Sequence, residues 1–273
     1  MARKRENFVY DLSYPKFLLL GDSITERCYQ QYPIKDYILD GYDKERKHSH
    51  ETAPLNFSMG SQLQHDYVRR LDVINRGFSG YNSENMRYMI KNILKIEHDE
   101  SYSKCALAYL FLGSNDAATG YPDMCEYEKF IENMKFIIGE IQKRSIKLIL
   151  IGPTHHYAED WETLNPKDVL DGIRRSMENN KKYANGIEEL SKTYNLPFID
   201  LFSAFDKYNE EHGPESTREL FIDGIHFNGG GYQILYDCIN KCINEHYPQF
   251  SNEQLDMRLP SWEHFDFDMI KSL

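Results

Sequence analysis

The sequence predicts an α/β protein in which a parallel, doubly wound sheet of five strands carries helices on both faces. Two observations support this fold class. Short apolar runs alternate with segments of helical pattern, and several of these runs end at glycine and polar residues. The 273 residues contain no Pro- or Ser-rich linker and no internal repeat, so we expect one domain over residues 1–273.

The strands are predicted where the chain is apolar over a short stretch. A parallel strand in such a sheet is buried on both faces, so its sequence is a continuous apolar run without alternation. The first run ends at Gly21, which provides backbone freedom for a tight turn. In chain order, the predicted strands are Phe17–Leu20, Val73–Asn75, Cys105–Leu112, Lys147–Ile151 and Leu196–Asp200.

Helices are predicted between and after these strands. Ser83 and Asn228 are the predicted N-caps of the helices that follow them. The helical patterns span Ile24–Gln30, Phe57–Leu71, Glu84–Ile96, Glu126–Arg144, Asp168–Thr193, Phe202–Tyr208, Ser216–Leu220 and Gly230–Tyr247.

Three further segments carry no predicted regular element. An N-terminal arm covers residues 1–15, and a polar lip covers about residues 31–56, next to the first strand and turn. A C-terminal tail covers residues 248–273. Its aromatic residues, which include Trp262, Phe265 and Phe267, indicate that the tail packs somewhere, either over the site or against a partner chain.

The charge and the N-terminal sequence exclude several classes of partner and location. The formal net charge of −11 argues against nucleic acid or an anionic membrane as the main partner. No apolar signal region follows the basic N-terminus, and Phe17–Leu20 is far too short to cross a bilayer. We therefore expect a soluble, cytoplasmic protein without a transmembrane segment.

The cysteine and histidine patterns predict no metal site. His48 and His50 lack a framework of carboxylates, which favours surface histidines over metal ligands. The cysteines form no CxxC pair, which predicts structural thiols in a reducing compartment. They are Cys28, Cys105, Cys125, Cys238 and Cys242.

Four clusters of glycine and polar residues lie after apolar runs or just before the last helix. Because parallel strands bring their carboxyl ends to one edge of the sheet, these clusters are expected to converge there. They are centred on Ser23, Gly80, Asn115 and the Asp223/His226 pair. Each cluster also has a purely structural interpretation: Ser23 as a helix N-cap, Gly80 as a turn, Asn115 as a turn or cap, and the pair as a helix-entry turn.

Together the clusters contain what acyl transfer requires. Ser23 is the candidate nucleophile, and His226 is the candidate base that takes its proton. Asp223, three positions before His226, can meet the imidazole Nδ1–H and stabilise the imidazolium. The backbone amides of Ser23 and Gly80 and the side-chain amide of Asn115 are candidate donors to an oxyanion.

Three polar residues near these clusters have other interpretations. Asp22 is expected to be structural, because its carboxylate can bond loop amides and hold the turn. His155 and His156 lie in a predicted loop over residues 154–166 at the same edge of the sheet. They either line a pocket or lie on a solvated loop, and the solvated loop is favoured.

The four clusters resemble the four blocks of the SGNH (GDSL-type) hydrolase superfamily. The chain is most similar to the isoamyl acetate-hydrolysing esterase family of that group, and the similarity covers most of residues 16–250. The polar segment from about Pro33 to Asn56 is longer than the family pattern. The blocks are Gly21-Asp22-Ser23, Gly80, Gly113-Ser114-Asn115-Asp116 and Asp223-Gly224-Ile225-His226.

The resemblance implies a three-layer α/β/α sandwich of the flavodoxin-like kind and ester hydrolysis without metal or cofactor. By motif match it implies Ser23 as nucleophile, Asp223 and His226 as acid and base, and Gly80 and Asn115 as oxyanion donors. It also implies small acyl esters such as acetates as substrates.

Alternatives remain open at the level of the sequence. The same residues could deacetylate sugars, cleave lysophospholipids or split thioesters. A ligand-binding module that has lost its activity is the alternative from outside the enzymes. The oligomeric state also stays open, a homodimer included.

Overall fold

The computed structural model describes residues 11–30, 57–120 and 125–271. Within them, five parallel strands form one sheet in the order β2-β1-β3-β4-β5, which confirms the predicted sheet. The strands are β1 (Lys16–Gly21), β2 (Asp72–Gly77), β3 (Cys105–Phe111), β4 (Lys147–Ile151) and β5 (Phe198–Ile199). The lip over residues 31–56, with His48 and His50, lies outside the described residues, as do residues 1–10 of the arm.

The strand order reverses beside β1, between β1 and β3. Such a reversal leaves a crevice at the carboxyl ends of the strands, and ligands of open α/β sheets bind there. The carboxyl ends of the three neighbouring strands are level, because Gly21 pairs in register with Gly77 on one side and with Phe111 on the other. Segments that leave these strands therefore start side by side.

Helices cover both faces of the sheet and make it the middle layer of an α/β/α sandwich. Alternate side chains of β1 enter two different cores, with Phe17 and Leu19 in one and Leu18 and Leu20 in the other. The first core is closed by α2 (Met59–Asp66), α8 (Leu201–His212) and α10 (Gly229–His246). The second core is closed by α3 (Ser83–Leu94), α4 (Tyr127–Gln142) and α7 (Met177–Tyr194).

The remaining described helices are short. They are α1 (Ser23–Glu26), α5 (Ala158–Leu164), α6 (Pro166–Leu170), α9 (Pro214–Arg218) and α11 (Phe267–Lys271). Helical turns at Arg27–Tyr29, Lys95–Asp99, Pro248–Phe250 and Trp262–His264 complete the set.

The long helix predicted over Asp168–Thr193 is wrong, because the structure divides that segment. α6 ends at Leu170, and α7 begins only at Met177. Gly172 lies between them with φ +87°, a left-handed conformation that interrupts a helix. Ser176 then starts the new helix as its N-cap, since its hydroxyl accepts from the amide of Asn179 at 3.1 Å.

The two predicted N-caps have different outcomes. Asn228 is confirmed, because its Oδ1 accepts from the amides of Gly230 and Gly231. Ser83 is wrong: Asn82 caps α3 in a reciprocal arrangement with Asn85. Ser83 is instead the first residue of the helix, and its hydroxyl donates to Asp116 at 2.5 Å.

The first part of the C-terminal tail packs against the first core through Phe250 and Leu255. Trp262 is 85% exposed and Phe267 is 71% exposed, so these rings do not pack against the described part of the molecule. Polar contacts also hold the earlier part of the tail, since the guanidinium of Arg69 donates to the carbonyl oxygens of Arg258 and Pro260. Over residues 11–30, 57–120 and 125–271, no helix is long and apolar enough to cross a membrane.

Candidate active site

Ser23 lies where β1 turns into α1. Its neighbour Asp22 caps the helix, with Oδ1 accepting from the amide of Ile24 at 2.9 Å. Because the aspartate fills the cap, the Ser23 hydroxyl is free for another partner. Glycine at two strand ends lets α1 lie directly on the sheet: a Cβ at Gly21 would meet Thr25 Oγ1 at 2.1 Å, and one at Gly77 would meet the Glu26 amide nitrogen at 2.1 Å.

The Ser23 hydroxyl is the first member of a hydrogen-bonded series. His226 Nε2 lies 2.7 Å from Ser23 Oγ, and His226 Nδ1 lies 2.6 Å from Asp223 Oδ2. A carboxylate only accepts, so Nδ1 carries the proton and Nε2 accepts from the serine hydroxyl. The structure thus brings together three side chains that the sequence separates by up to 203 positions.

The turn that holds Asp223 and His226 is built from adjacent residues. Asp223 Oδ1 accepts from the amides of Ile225 at 3.0 Å and His226 at 2.8 Å, while Oδ2 faces the imidazole. Gly224 has φ +85°, and a Cβ there would lie 2.3 Å from the carbonyl oxygen of Tyr157. Only glycine fits this tight, left-handed position.

Asp223 is ionised at neutral pH. Burial, the largest influence, would raise its pKa, but the hydrogen bond and charge of His226 and the two backbone amides outweigh it and lower the pKa to about 2. A fixed carboxylate beside Nδ1 holds the imidazole in one tautomer and orientation. The pair is therefore arranged to accept a proton at Nε2.

Gly80 lies in an exposed turn after β2 with φ +78°, and a Cβ there would meet no atom within 4 Å. The turn is tied to α1, because the carboxylate of Glu26 accepts from the Ser79 amide at 2.6 Å and from its hydroxyl at 2.9 Å. It is also tied to the loop after β3, where Asn115 Nδ2 donates to the carbonyl oxygen of Tyr81 at 3.0 Å. Hydrogen bonds thus connect the segments of Ser23, Gly80 and Asn115.

Two residues at this site, Glu26 and Arg175, have no counterpart in the sequence-based site. Arg175 Nη2 donates to Asn115 Oδ1 at 2.9 Å, and Nη1 donates to the carbonyl oxygen of Ser114 at 2.7 Å. The guanidinium also lies 5.2 Å from the centre of the Trp161 ring. Arg175 is 60 positions from Asn115, and no spacing rule in the sequence connects the two.

Two buried carboxyl groups lie below the site. Burial, the largest cause, and the nearby charge of Asp116 together raise the pKa of Asp22 to about 7. Burial likewise raises the pKa of Asp116 to about 6, although the hydroxyl and amide of Ser83 donate to its carboxylate. Asp22 Oδ2 has no hydrogen-bond partner among the described residues.

His155 and His156 are buried, so the preference for a solvated loop is wrong. Their side chains are closed off by other elements, and the residues are 7% and 4% exposed. His155 Nε2 lies 2.8 Å from Asp206 Oδ1, and His156 Nδ1 lies 2.9 Å from the carbonyl oxygen of Gly224. Burial lowers the pKa of His156 to about 4, so it stays neutral and its Nδ1–H braces the turn that carries His226.

Among the described residues, no group of three or more His, Cys, Asp and Glu side chains is arranged to hold a metal ion. The chemistry that the described side chains offer is transfer of a proton from a serine hydroxyl to an imidazole. Donors lie on the segments next to that serine.

The family model described as the GDSL-like lipase/acylhydrolase family matches residues 19–234. An isoamyl acetate-hydrolyzing esterase of Saccharomyces cerevisiae is 32% identical over 251 residues, which cover 92% of this chain and 95% of the yeast protein. The protein of the same description from Schizosaccharomyces pombe is 27% identical, over 93% and 85% of the two chains. A solved lipase/acylhydrolase from Enterococcus faecalis superposes with a TM-score of 0.60 at 22% identity, covering 90% of this chain and 100% of that structure.

Proposed function

The chain belongs to the GDSL-like lipase/acylhydrolase family and is a carboxylic ester hydrolase, and from this premise we propose that it cleaves small acetate-type esters through an acyl-enzyme on Ser23. The observation that carries the proposal is the series Ser23 Oγ, His226 and Asp223, with distances of 2.7 and 2.6 Å. A serine hydroxyl becomes a useful nucleophile only when a base removes its proton, and this series supplies the base and its orienting carboxylate.

In the first step, Ser23 Oγ attacks the carbonyl carbon of the ester. The hydroxyl proton passes to His226 Nε2, and the carbonyl π electrons move onto the oxygen. Asp223, ionised and hydrogen-bonded to Nδ1, stabilises the imidazolium that forms.

Donors around the ester carbonyl stabilise the negative charge of the tetrahedral intermediate. We assign this role to the backbone amides of Ser23 and Gly80 and to Asn115 Nδ2. A side-chain amide has two N–H donors. One of them is used by the Tyr81 carbonyl, which leaves the second for the oxyanion. Loss of one such donor typically lowers kcat on the order of 100- to 1000-fold.

His226 then acts as an acid. It gives its proton to the departing alcohol oxygen as the tetrahedral intermediate collapses to the acyl-enzyme, which completes the first half of the reaction. Water then attacks the acyl carbon while His226 takes one of its protons. Collapse of this second intermediate releases the carboxylic acid and returns the proton to Ser23.

The acetate class rests on the yeast relative, whose description names isoamyl acetate as its substrate and which this chain matches over 95% of that protein's length. We therefore propose an acetyl group on the acyl side and a small alcohol on the other.

The test is hydrolysis of p-nitrophenyl esters from acetate to palmitate by the native protein and by Ser23→Ala. We expect the native rate to peak at short acyl chains and Ser23→Ala to lose turnover with little change in Tm. Ser203→Ala is the matched control, because that serine is exposed and donates only to Asp200. Full activity of Ser23→Ala would contradict the mechanism, and a peak at long chains would keep the mechanism but move the substrate to lipids.

A further inference from the structure

The guanidinium of Arg175 contacts the Asn115 loop at two points, yet it belongs to none of the groups that carry out the proposed reaction. It donates to the side chain of Asn115 and to the carbonyl oxygen of Ser114, 2.9 and 2.7 Å away. The structure assigns to Arg175 a positioning role: it fixes and polarises the Asn115 amide that donates to the oxyanion. This inference rests on the proposed function.

The contacts of Asn115 determine which way its amide points. A guanidinium donates and cannot accept, so the Asn115 atom that faces Arg175 must be the oxygen. A backbone carbonyl accepts and cannot donate, so the atom that faces Tyr81 must be the nitrogen. Both partners therefore select the same orientation of the Asn115 amide. Because the amide is planar, this orientation also fixes the direction in which the second Nδ2–H bond points. Without Arg175, the Tyr81 carbonyl would be the one remaining partner of this side chain, among the described residues, that opposes a flip of the amide.

Arg175 is itself held firmly. The adjacent backbone pairs with the chain just after Asn115: the Thr119 amide donates to the Arg174 carbonyl at 2.8 Å, and the reverse bond measures 2.9 Å. Gly120 lets the two segments approach, since a Cβ there would lie 2.2 Å from the carbonyl oxygen of Gly172. The Trp161 ring closes one side of the guanidinium. A donor held in this way needs little reorganisation during the reaction.

No carboxylate of residues 11–30, 57–120 and 125–271 forms an ion pair with Arg175. Its positive charge does act on the buried Asp22, where it counters part of the rise in pKa. A cation bound to the amide oxygen draws electron density from the nitrogen, so the remaining N–H becomes a stronger donor. The field of Arg175 also reaches its surroundings, where it contributes, after burial, to the lowered pKa of His156.

These effects count most in the transition state, when the ester oxygen gains its negative charge. A substitution that removes the guanidinium should therefore lower kcat more than it changes KM. We expect a loss of about 10- to 100-fold, smaller than deletion of the donor itself, because Asn115 would still be present but no longer locked.

The experiment compares Arg175→Met and Arg175→Lys, each alone and combined with Asn115→Ala. The matched control is Arg87→Met. Arg87 also donates to an asparagine oxygen, that of Asn133 at 3.2 Å, and lies 4.6 Å from the Phe136 ring centre, but it joins α3 to α4. The measurements are kcat and KM with p-nitrophenyl acetate, and Tm for each variant.

We expect Arg175→Met to lower kcat by the full amount in the native background. In the Asn115→Ala background the same substitution should lower kcat by less than about 3-fold, because the arginine acts through that amide. Lysine keeps the charge but not the fork, so Arg175→Lys should fall between native and Arg175→Met. If Arg175→Met lowers Tm markedly, Arg175→Lys can be compared alone and in combination with Asn115→Ala in the same way.

Two outcomes would overturn the role of Arg175: native kcat in Arg175→Met, or losses that multiply fully in the double variant. Ser23→Ala and Asn115→Ala, measured beside them, keep the two proposals distinguishable. Full activity in either of those would overturn the proposed function itself. Their loss of activity, together with native kcat in Arg175→Met, would overturn the arginine's role alone.

Discussion

The Asp223–His226 turn and the Asn115–Arg175 contact both lie at the candidate active site but are built in opposite ways. In the turn, one carboxylate accepts from two nearby amides and the imidazole, all within four consecutive residues. In the other region, Asn115 is held by Tyr81, 34 positions away, and by Arg175, 60 positions away. One geometry is local, and the other exists only when three segments have packed together.

This difference determines how sensitive each region is to substitution. A local turn has few degrees of freedom to fix, so its geometry depends on the identity of a few adjacent residues. An assembled contact depends on the relative position of whole loops, so it tolerates single changes better and degrades gradually. We therefore expect the largest effects of substitution in the turn.

The largest effect should follow from Asp223→Asn. Asparagine keeps the shape but offers an N–H or a neutral oxygen to the imidazole, so the tautomer and the imidazolium lose their support. We expect kcat for p-nitrophenyl acetate to fall on the order of 10⁴-fold. The molecule contains a matched control, because Asp206 lies 2.8 Å from His155 in a second Asp–His pair outside the series. Similar losses in Asp206→Asn would mean that the turn has no special role.

A smaller effect is expected from alanine at the glycines of the two regions. Gly224 and Gly172 both have left-handed φ, but the space around them differs. A Cβ at Gly224 would clash with the Tyr157 carbonyl oxygen, whereas a Cβ at Gly172 would have no other atom within 4 Å. Gly172→Ala should lower the free energy of unfolding by about 1–2 kcal/mol through backbone strain alone. Gly224→Ala should cost more than about 3 kcal/mol and lower kcat about 100-fold. Denaturant unfolding and steady-state kinetics would check both, and equal losses of stability would contradict the comparison.

The smallest effect concerns pH. The pKa of Asp22 is raised from 3.8 to about 7, so its contribution to stability is fully present below pH 3.8 and is lost as pH rises through about 7. Asp223 behaves oppositely: its pKa is lowered to about 2, and its contribution is lost only as pH falls through that value. Asp22→Asn, which can still accept from the Ile24 amide, should raise Tm at pH 8 by a few degrees and leave it little changed at pH 4.

Thermal unfolding from pH 4 to pH 8 would check this prediction. The matched control is Asp66→Asn at the end of α2, because the half-buried carboxylate of Asp66 accepts hydrogen bonds from Gln62 and Tyr236. A native-like fall in Tm between those pH values in Asp22→Asn would show that another group causes it.

Two errors of the sequence-based prediction have different causes. The helix drawn through residues 171–176 ignored Gly172 and Ser176, because the surrounding pattern stayed helical on both sides. That segment is the loop that carries Arg175. The polar character of His155 and His156 suggested solvent, but the carbonyl of Gly224 and the carboxylate of Asp206 satisfy them inside the protein.

The fold class, the approximate positions of the five described strands and the glycine and polar clusters at the strand ends could be predicted from the sequence. Apolar runs are buried, and parallel strands bring their carboxyl ends to one edge of the sheet. These two rules are enough to predict that Ser23, Gly80, Asn115 and the Asp223–His226 pair converge. The hydrogen bond from Arg175 to Asn115, the burial of two histidines and the exposure of Trp262 became apparent in the folded structure and could not be predicted from the sequence. A guanidinium, an imidazole or an indole has no local pattern that reveals its partner, because that partner is chosen only when distant segments pack.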